Sequence, residues 1–382
     1  MYLLIIYLTI MKKNLQKIFK KISYSIFLLL YGSIKHSINH KENSKIKIKT
    51  ININSEKNYK VYNIENGRLY TDRIHDTAVI LDKKIIDGPS FQYRPGITPT
   101  IINSKISDNI VFTKGTPRFL RNLKGKVLSL LTGGAGNNNY WHWMYDVLPK
   151  LNLCGKYIKL EDIDFFLAPS LEKKFQKETL NLLNIPDHKI ISSEKFRHIK
   201  ANELIITDHP VVLNGNATQG MQNIPSWINA WLKDSFLKTS EKGNKKIKIY
   251  IDRDDASKKH PSKRFISNEE ELKKNLLRNN FIIAKLHNMN IKDQINLFYN
   301  AECVVGLHGA GFTNIVFCEP QTKIIEIKSL GAGDLFKNLA LDTKLNYNSL
   351  DIESKEIDKA EFKNQQGSIY VPINKFLQKL KE

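Results

Sequence analysis

Residues 293–327 read DQINLFYNAECVVGLHGAGFTNIVFCEPQTKIIEI, and this stretch decides the fold. Positions 291–300 carry apolar residues at helical spacing. Positions 303–306 are a short apolar run of strand length. A glycine-rich turn then leads into a helix near 310–317, and 322–327 reads as the next strand. Strand, connecting helix and strand in this order mean βαβ units on a parallel sheet. The same alternation extends outward on both sides. Upstream, 247–251 is a strand, Ser267 and Glu270 have the capping-box spacing that opens a helix to about Arg278, and 281–286 is a strand. Downstream, 334–341 reads as a helix. The whole of 241–382 is therefore expected to form one α/β domain.

A second, less regular α/β domain is expected over 61–240. Positions 69–86 alternate like strands, and 127–132 (VLSLLT) is a buried strand broken by the glycines of 133–136. Helices are expected at 140–151, 171–183 and about 225–238, with strands at 165–168 and 204–207. The charged, Gly-broken EKGNKK of 241–246 separates the two domains. Residues 1–60 are set apart as a basic, apolar N-terminal segment, with 35–60 as a linker. Residues 1–10 are apolar but too few to span a bilayer. Lys12 and Lys13 follow this run instead of preceding it, unlike a signal peptide, and Met11 offers a second start. Over 11–34, Leu15, Ile18, Phe19, Ile22 and Ile26 recur at helical spacing among Lys12, Lys13, Lys17, Lys20 and Lys21. That pattern suits a helix lying on a membrane surface, or equally a terminal helix docked on its own domain.

Composition narrows the function classes. A chain of 382 residues has room for two to three domains. Three cysteines, Cys154, Cys303 and Cys318, make neither a disulfide framework nor a zinc site, as expected for a reduced, cytoplasmic protein. The net charge of +21 invites a nucleic-acid reading, but nine Arg stand against 50 Lys. Base and phosphate readout lean on Arg forks, whereas Lys, Ile and Asn share AT-rich codons. No nucleic-acid partner is expected. Residues 1–60 hold twelve Lys against Glu42 and Glu56, a local excess that points to an anionic membrane surface.

Ligands of open α/β sheets bind beyond the carboxyl ends of the strands. Residues 306–314 (GLHGAGFTN) lie there. Gly309 and Gly311 permit close backbone approach, and the amides of Ala310, Gly311 and Phe312 would face an anion. His308, Thr313 and Asn314 add side-chain donors. This suits a diphosphate, or else a tight turn whose glycines serve packing; it is neither a P-loop nor G-x-G-x-x-G. Glu326, ending the next strand, would suit a ribose diol, or else is a solvent-facing charge. Arg253 ends strand 247–251, and Arg264 is a second guanidinium for phosphate. Asp252, Asp254 and Asp255 lack the partners of a metal site, so no metal is expected. In GGAGNNNYWHWMYDVLPKL (133–151), His142 and Asp146 stand four apart on one helical face, as a carboxylate-oriented general base would, with aromatic rings beside them for a sugar. The alternative is an aromatic-rich helix with a satisfied histidine.

Three stretches together resemble glycosyltransferase family 61: NNNYWHWMYDVLPKL, IYIDRDDASKKHPSKRFISNEEEL and DQINLFYNAECVVGLHGAGFTNIVF followed by KIIEI. The resemblance covers roughly 125–330. It implies a GT-B-like α/β architecture of two Rossmann-type domains facing across a cleft. It also implies inverting, metal-independent transfer of a sugar from a nucleotide-sugar donor to a hydroxyl, without a further cofactor. Carried over by position, the 308–314 loop would face the donor diphosphate, Arg253 would neutralise the leaving group, and Glu326 would hold the ribose. His142 or Asp146 would be the base on the acceptor side. The family often has Ser where this chain has Asp252, which puts the role of Arg253 in question. The expected setting is surface glycan synthesis, capsular or lipopolysaccharide-type, on a glycan or lipid-linked glycan acceptor at the cytoplasmic face of the membrane. The competing reading is a non-catalytic nucleotide- or polysaccharide-binding module of a glycan assembly complex.

Overall fold

The computed structural model describes residues 2–34, 37–38, 43–53, 57–71, 76–92, 109, 118–131, 138–211, 220, 222–238, 243, 246–254, 264–355 and 366–382. The chain forms two compact units. The first takes Met1–Asn138, Asp146–Leu171 and Pro186–Thr218; the second takes Asn139–Tyr145, Glu172–Ile185 and Gln219–Glu382. The glycines of 133–136, Asp255 and most of the basic loop after it lie outside the described residues.

The first unit is built on one large sheet. Its strands are β1 (Ser37–Ile38), β2 (Ile46–Ile53), β3 (Lys57–Glu65), β4 (Arg68–Thr71), β5 (Asp76–Leu81), β6 (Lys84–Ile86), β7 (Phe91–Gln92), β8 (Arg121–Ser129), β9 (Phe165–Ala168), β10 (Ile190–Ser192) and β11 (His198–Thr207). Parallel pairing runs β11–β8–β9–β10, whereas β11 meets β3 and β4 antiparallel, and β2–β3 and β4–β5–β6 are antiparallel. The unit is thus half a doubly wound sheet and half a meander, which a purely Rossmann-type domain would not contain. The linker expected over 35–60 is instead strand for much of its length. In IKIKTINI (46–53), Ile46 and Ile51 are buried while Lys47 and Lys49 face solvent. The lysines that made this stretch look like a linker are the exposed half of a period-two pattern.

The N-terminal helix is longer than expected. It runs without a break through Tyr2–Tyr31 and stops at Gly32, whose φ of +73° lets its amide turn back onto Leu28. Its last turns dock on their own unit: the Phe27 ring lies 5.7 Å from Tyr70 and 5.6 Å from His198. The Tyr31 hydroxyl accepts from the Leu120 amide at 2.8 Å. Further back, Leu15, Ile18, Phe19 and Ile22 stay exposed. Among the described residues no helix is long and apolar enough to cross a membrane.

The second unit matches the sequence reading closely. Its strands are β12 (Ile247–Ile251), β13 (Phe265–Ile266), β14 (Phe281–Ala284), β15 (Ala301–Leu307), β16 (Lys323–Ser329), β17 (Asn346–Ile352) and β18 (Ser368–Ile369). Five of them form an all-parallel sheet in the order β14-β12-β15-β16-β17. The connecting helices bury residues at helical spacing: Leu272 and Leu276 on one, Ile291, Ile295 and Phe298 on another. Two expectations change. Ser267 does not cap the helix that follows, because its hydroxyl donates to the Ile369 carbonyl at 3.2 Å; that helix, Glu269–Arg278, starts after Asn268. The segment Ala310–Phe317 is 3₁₀, with Phe312, Ile315, Val316 and Phe317 all buried. Strands β13, β17 and β18 and the helix Ile373–Lys381, unread in the sequence, complete the unit.

Neighbouring leucines on one helix test this core. Leu276 is fully buried and Leu277 is 56% exposed. Leu276→Ala is expected to cost about 2–5 kcal/mol, and Leu277→Ala within about 0.5 kcal/mol of neutral, measured by urea unfolding of the full chain.

Candidate functional site

In parallel register, Ile251 of β12 sits beside Gly306 of β15, which sits beside Glu326 of β16. The residues that leave these strands therefore converge. His308 leaves β15 with its amide held by the Ile327 carbonyl at 2.8 Å. Arg253 folds over the next residue, its Nη1 donating to the His308 carbonyl at 2.6 Å. A Cβ on Gly309 would lie 2.7 Å from the Arg253 guanidinium carbon, so this glycine is what admits the arginine. Gly311 serves packing instead, since a Cβ there would meet Ile251 at 3.0 Å and Leu286 at 3.3 Å. The Phe312 amide is spent within the turn, on the Gly309 carbonyl. Of the three amides expected to face an anion, that one is already used.

Glu326 is the buried centre of this region. It is fully sealed from solvent, which excludes the solvent-facing alternative. The Nδ1 of His308 pairs with its Oε1 at 2.5 Å, and the Tyr347 hydroxyl of β17 donates to its Oε2 at 2.5 Å. Both oxygens thus have protein partners, an arrangement suited to orienting His308 rather than to a ribose. Burial holds the His308 imidazole below its ordinary pKa; Glu326 opposes that, and Arg264 and Arg253 reinforce it. The ring is neutral near pH 7, with Nδ1–H on the glutamate. Burial also brings Arg264 down to about 10, with Arg253 adding to the shift and Glu326 resisting it. The guanidinium remains charged at neutral pH. Its Nη1 is buried with no hydrogen-bond partner among the described residues.

Asp252 does not compete for Arg253. Its carboxylate pairs with Lys273 at 3.1 Å and accepts from the Asp254 amide at 3.0 Å. Asp254 in turn binds Lys285 at 2.8 Å. Among the described residues no group of three His, Cys, Asp or Glu side chains is placed to hold a metal ion. Thr313 and Asn314 lie inside the unit. Asn314 accepts from the Tyr140 hydroxyl at 2.7 Å and donates to Gln294 at 2.9 Å, so it ties 139–145 to the 3₁₀ segment. Thr313 Oγ1 is buried and unpartnered among the described residues.

The expected helix at 140–151 is broken into three pieces: Tyr140–His142 is α-helical, Trp143–Val147 is a π-helix and Pro149–Gly155 is α-helical again. Such π-turns often mark functional positions. His142 belongs to the second unit and Asp146 to the first. In the second unit the Trp141 ring meets that of His142 edge-on at 4.8 Å and stacks on Tyr145 at 5.3 Å. Trp143 is fully buried and donates to Thr179 at 2.8 Å. These indoles are core, not an open platform for a sugar ring. In the first unit Asp146 is nearly sealed, and the imidazole facing it is His209, at 4.0 Å. Lys150 lies buried nearby. Burial brings its ammonium down to about 8, against the pull of Asp208 and Asp146. Sequence spacing missed His209 and Tyr347, because each meets its partner across a long sequence separation.

Residues 140–325 match the family model described as Glycosyltransferase 61. The chain is 33% identical over 110 residues to Beta-1,2-xylosyltransferase RCN11 of Oryza sativa subsp. japonica, covering 26% of this chain and 20% of that protein. It is 41% identical over 51 residues to a Beta-1,2-xylosyltransferase of Arabidopsis thaliana, covering 13% of this chain and 10% of that one. The matched stretches therefore span a fifth or less of these relatives. Strands β12, β14 and β15, with Arg253, Arg264 and His308, lie inside the matched region, whereas Glu326 and β17 lie beyond its end; over residues 140–325 this chain matches a glycosyltransferase 61 domain.

Proposed function

We propose that this protein transfers a sugar from a nucleotide-sugar donor to a hydroxyl of a glycan acceptor. The donor diphosphate lies at the carboxyl ends of β12 and β15. The observation that carries this reading is the pair Arg253 and Arg264, one folded over Gly309 and the other buried with Nη1 unpartnered among the described residues. Taking a guanidinium out of water without a matching acceptor is costly. An anion that arrives with the substrate supplies the missing acceptors, and a diphosphate offers them in bidentate geometry. In transfer with inversion, a base removes the acceptor proton as that oxygen attacks the anomeric carbon, and the bond to the diphosphate breaks on the opposite side. The two guanidiniums then stabilise the charge that develops on the leaving oxygen, so no metal is required in this scheme. His142 or Asp146 is the base, and His209 assists if it is Asp146. The GT-B-like arrangement belongs to the same proposal.

The acceptor class proposed is a surface glycan, capsular or lipopolysaccharide-type. The names of the plant relatives point to xylose as a further donor sugar to assay. Product formation from a panel of nucleotide-sugars tests the reading. Arg253→Ala and Arg264→Ala are each expected to raise the donor KM by about 10- to 100-fold, the worth of a charge-assisted hydrogen bond. Asp146→Asn is expected to lower kcat by about 10²–10⁴ if it is the base, and His142→Ala does so otherwise. Full turnover in both base variants removes the proposed chemistry.

The N-terminal helix carries a second proposal, peripheral attachment to the cytoplasmic face of a membrane. It rests on the exposed apolar residues Leu15, Ile18, Phe19 and Ile22, flanked by the exposed Lys12, Lys13, Lys17, Lys20 and Lys21. Each lysine near an anionic surface contributes about 1 kcal/mol. Full-length protein is expected to sediment with phosphatidylglycerol vesicles and to be released by salt. Replacing the five lysines by glutamate should leave it in the supernatant.

A further inference from the structure

The hydrogen bond between His308 and Glu326 has a consequence for how the donor is held. With Nδ1–H committed to the glutamate, a neutral imidazole presents a lone pair at Nε2. A lone pair repels phosphate oxygen, so a neutral His308 is a poor diphosphate ligand. An imidazolium in the same place is a good one. We propose that His308 takes up a proton from solvent when a nucleotide diphosphate binds beside it, so that donor binding is coupled to protonation of Nε2.

Four groups on the surrounding elements set this up. Glu326 on β16 lies against Nδ1 and stabilises the imidazolium without itself meeting solvent. Tyr347 on β17 donates to the other carboxylate oxygen and fixes its orientation. Arg253 after β12 and Arg264 before β13 press the other way and favour the neutral ring. The helix Leu335–Asp342 faces the imidazole with the uncharged Phe336 ring, 5.2 Å away. Nε2 has no hydrogen-bond partner among the described residues, and the side chain keeps 12% of its surface in solvent. In the free protein burial keeps the proton off, and the two guanidiniums add to it. A diphosphate neutralises both, and the balance then passes to Glu326. The proton comes from the buffer, lands on Nε2 and is donated to a phosphate oxygen; Nδ1–H stays on the glutamate. No bond to carbon or phosphorus changes in this step.

The inference rests on the nucleotide-sugar reading, and calorimetry separates the two. UDP-xylose, UDP-glucose and GDP-mannose serve as probes, because a diphosphate esterified at both ends keeps a fixed charge across neutral pH. Binding to the full chain is measured at pH 7.5 in buffers of different ionisation enthalpy. The expected result is a buffer-dependent heat equal to nearly one proton taken up per bound ligand. Affinity should weaken by about tenfold per pH unit on the alkaline side. In Glu326→Gln the uptake should shrink, and in His308→Gln it should vanish and leave weaker, pH-independent binding. Binding without buffer-dependent heat in the unmodified protein overturns the inference alone. Failure of every probe to bind at any pH overturns the nucleotide-sugar reading and the inference with it.

Discussion

A carboxyl group sealed from water needs a hydrogen-bond partner on each oxygen, and Glu326 is that group here. It stands in the middle of a parallel sheet with a tyrosine on one oxygen and an imidazole on the other. Every other feature of the region follows from it. His308 has one tautomer because its Nδ1 is committed. Arg264 tolerates burial because a negative charge is near. Arg253 reaches the His308 carbonyl because Gly309 leaves the space. Arg264 keeps a buried Nη1 without a hydrogen-bond partner among the described residues, and the proposed diphosphate would supply one.

The first unit concentrates its charged groups differently. Asp146, His209, Lys150 and Asp208 are drawn into a buried or nearly buried cluster where the described strand β11 ends. Burial lowers the Lys150 ammonium and raises the Asp208 carboxyl, both toward neutrality. Groups whose proton affinities are moved toward the working pH are those that can exchange protons, and such groups collect at functional sites. The π-turn that carries Asp146 into this cluster is an irregularity of the same kind, a local departure from α geometry at a chemically loaded position.

Much of this was legible from the chain alone. Strands β12, β14, β15 and β16 fell within a residue or two of their expected positions, because buried parallel strands read as apolar runs and their connecting helices as periodic ones. The stretch 46–53 was missed because its exposed lysines dominated its composition, although Ile46 and Ile51 are buried. Strand β17 was missed because Asn346, Asn348 and Asp351 make an edge strand look like a loop. Gly309, Arg253, His308 and Glu326 were all named from position, but their grouping was open. Asn314 and Trp143, named beside them, turned out to hold the structure together from inside.

Composition and periodicity thus determined the element types, the parallel sheet of the second unit and the loop where a ligand would sit. These are local properties, set by side chains a few positions apart. Tertiary structure alone decided that Glu326 is buried, that it orients His308 instead of facing solvent, that Asp252 belongs to Lys273, and that His209 is the imidazole facing Asp146. Those facts depend on which strand lies beside which. Hydrogen bonding and desolvation act through space, and sequence spacing carries no record of them until the sheet is assembled.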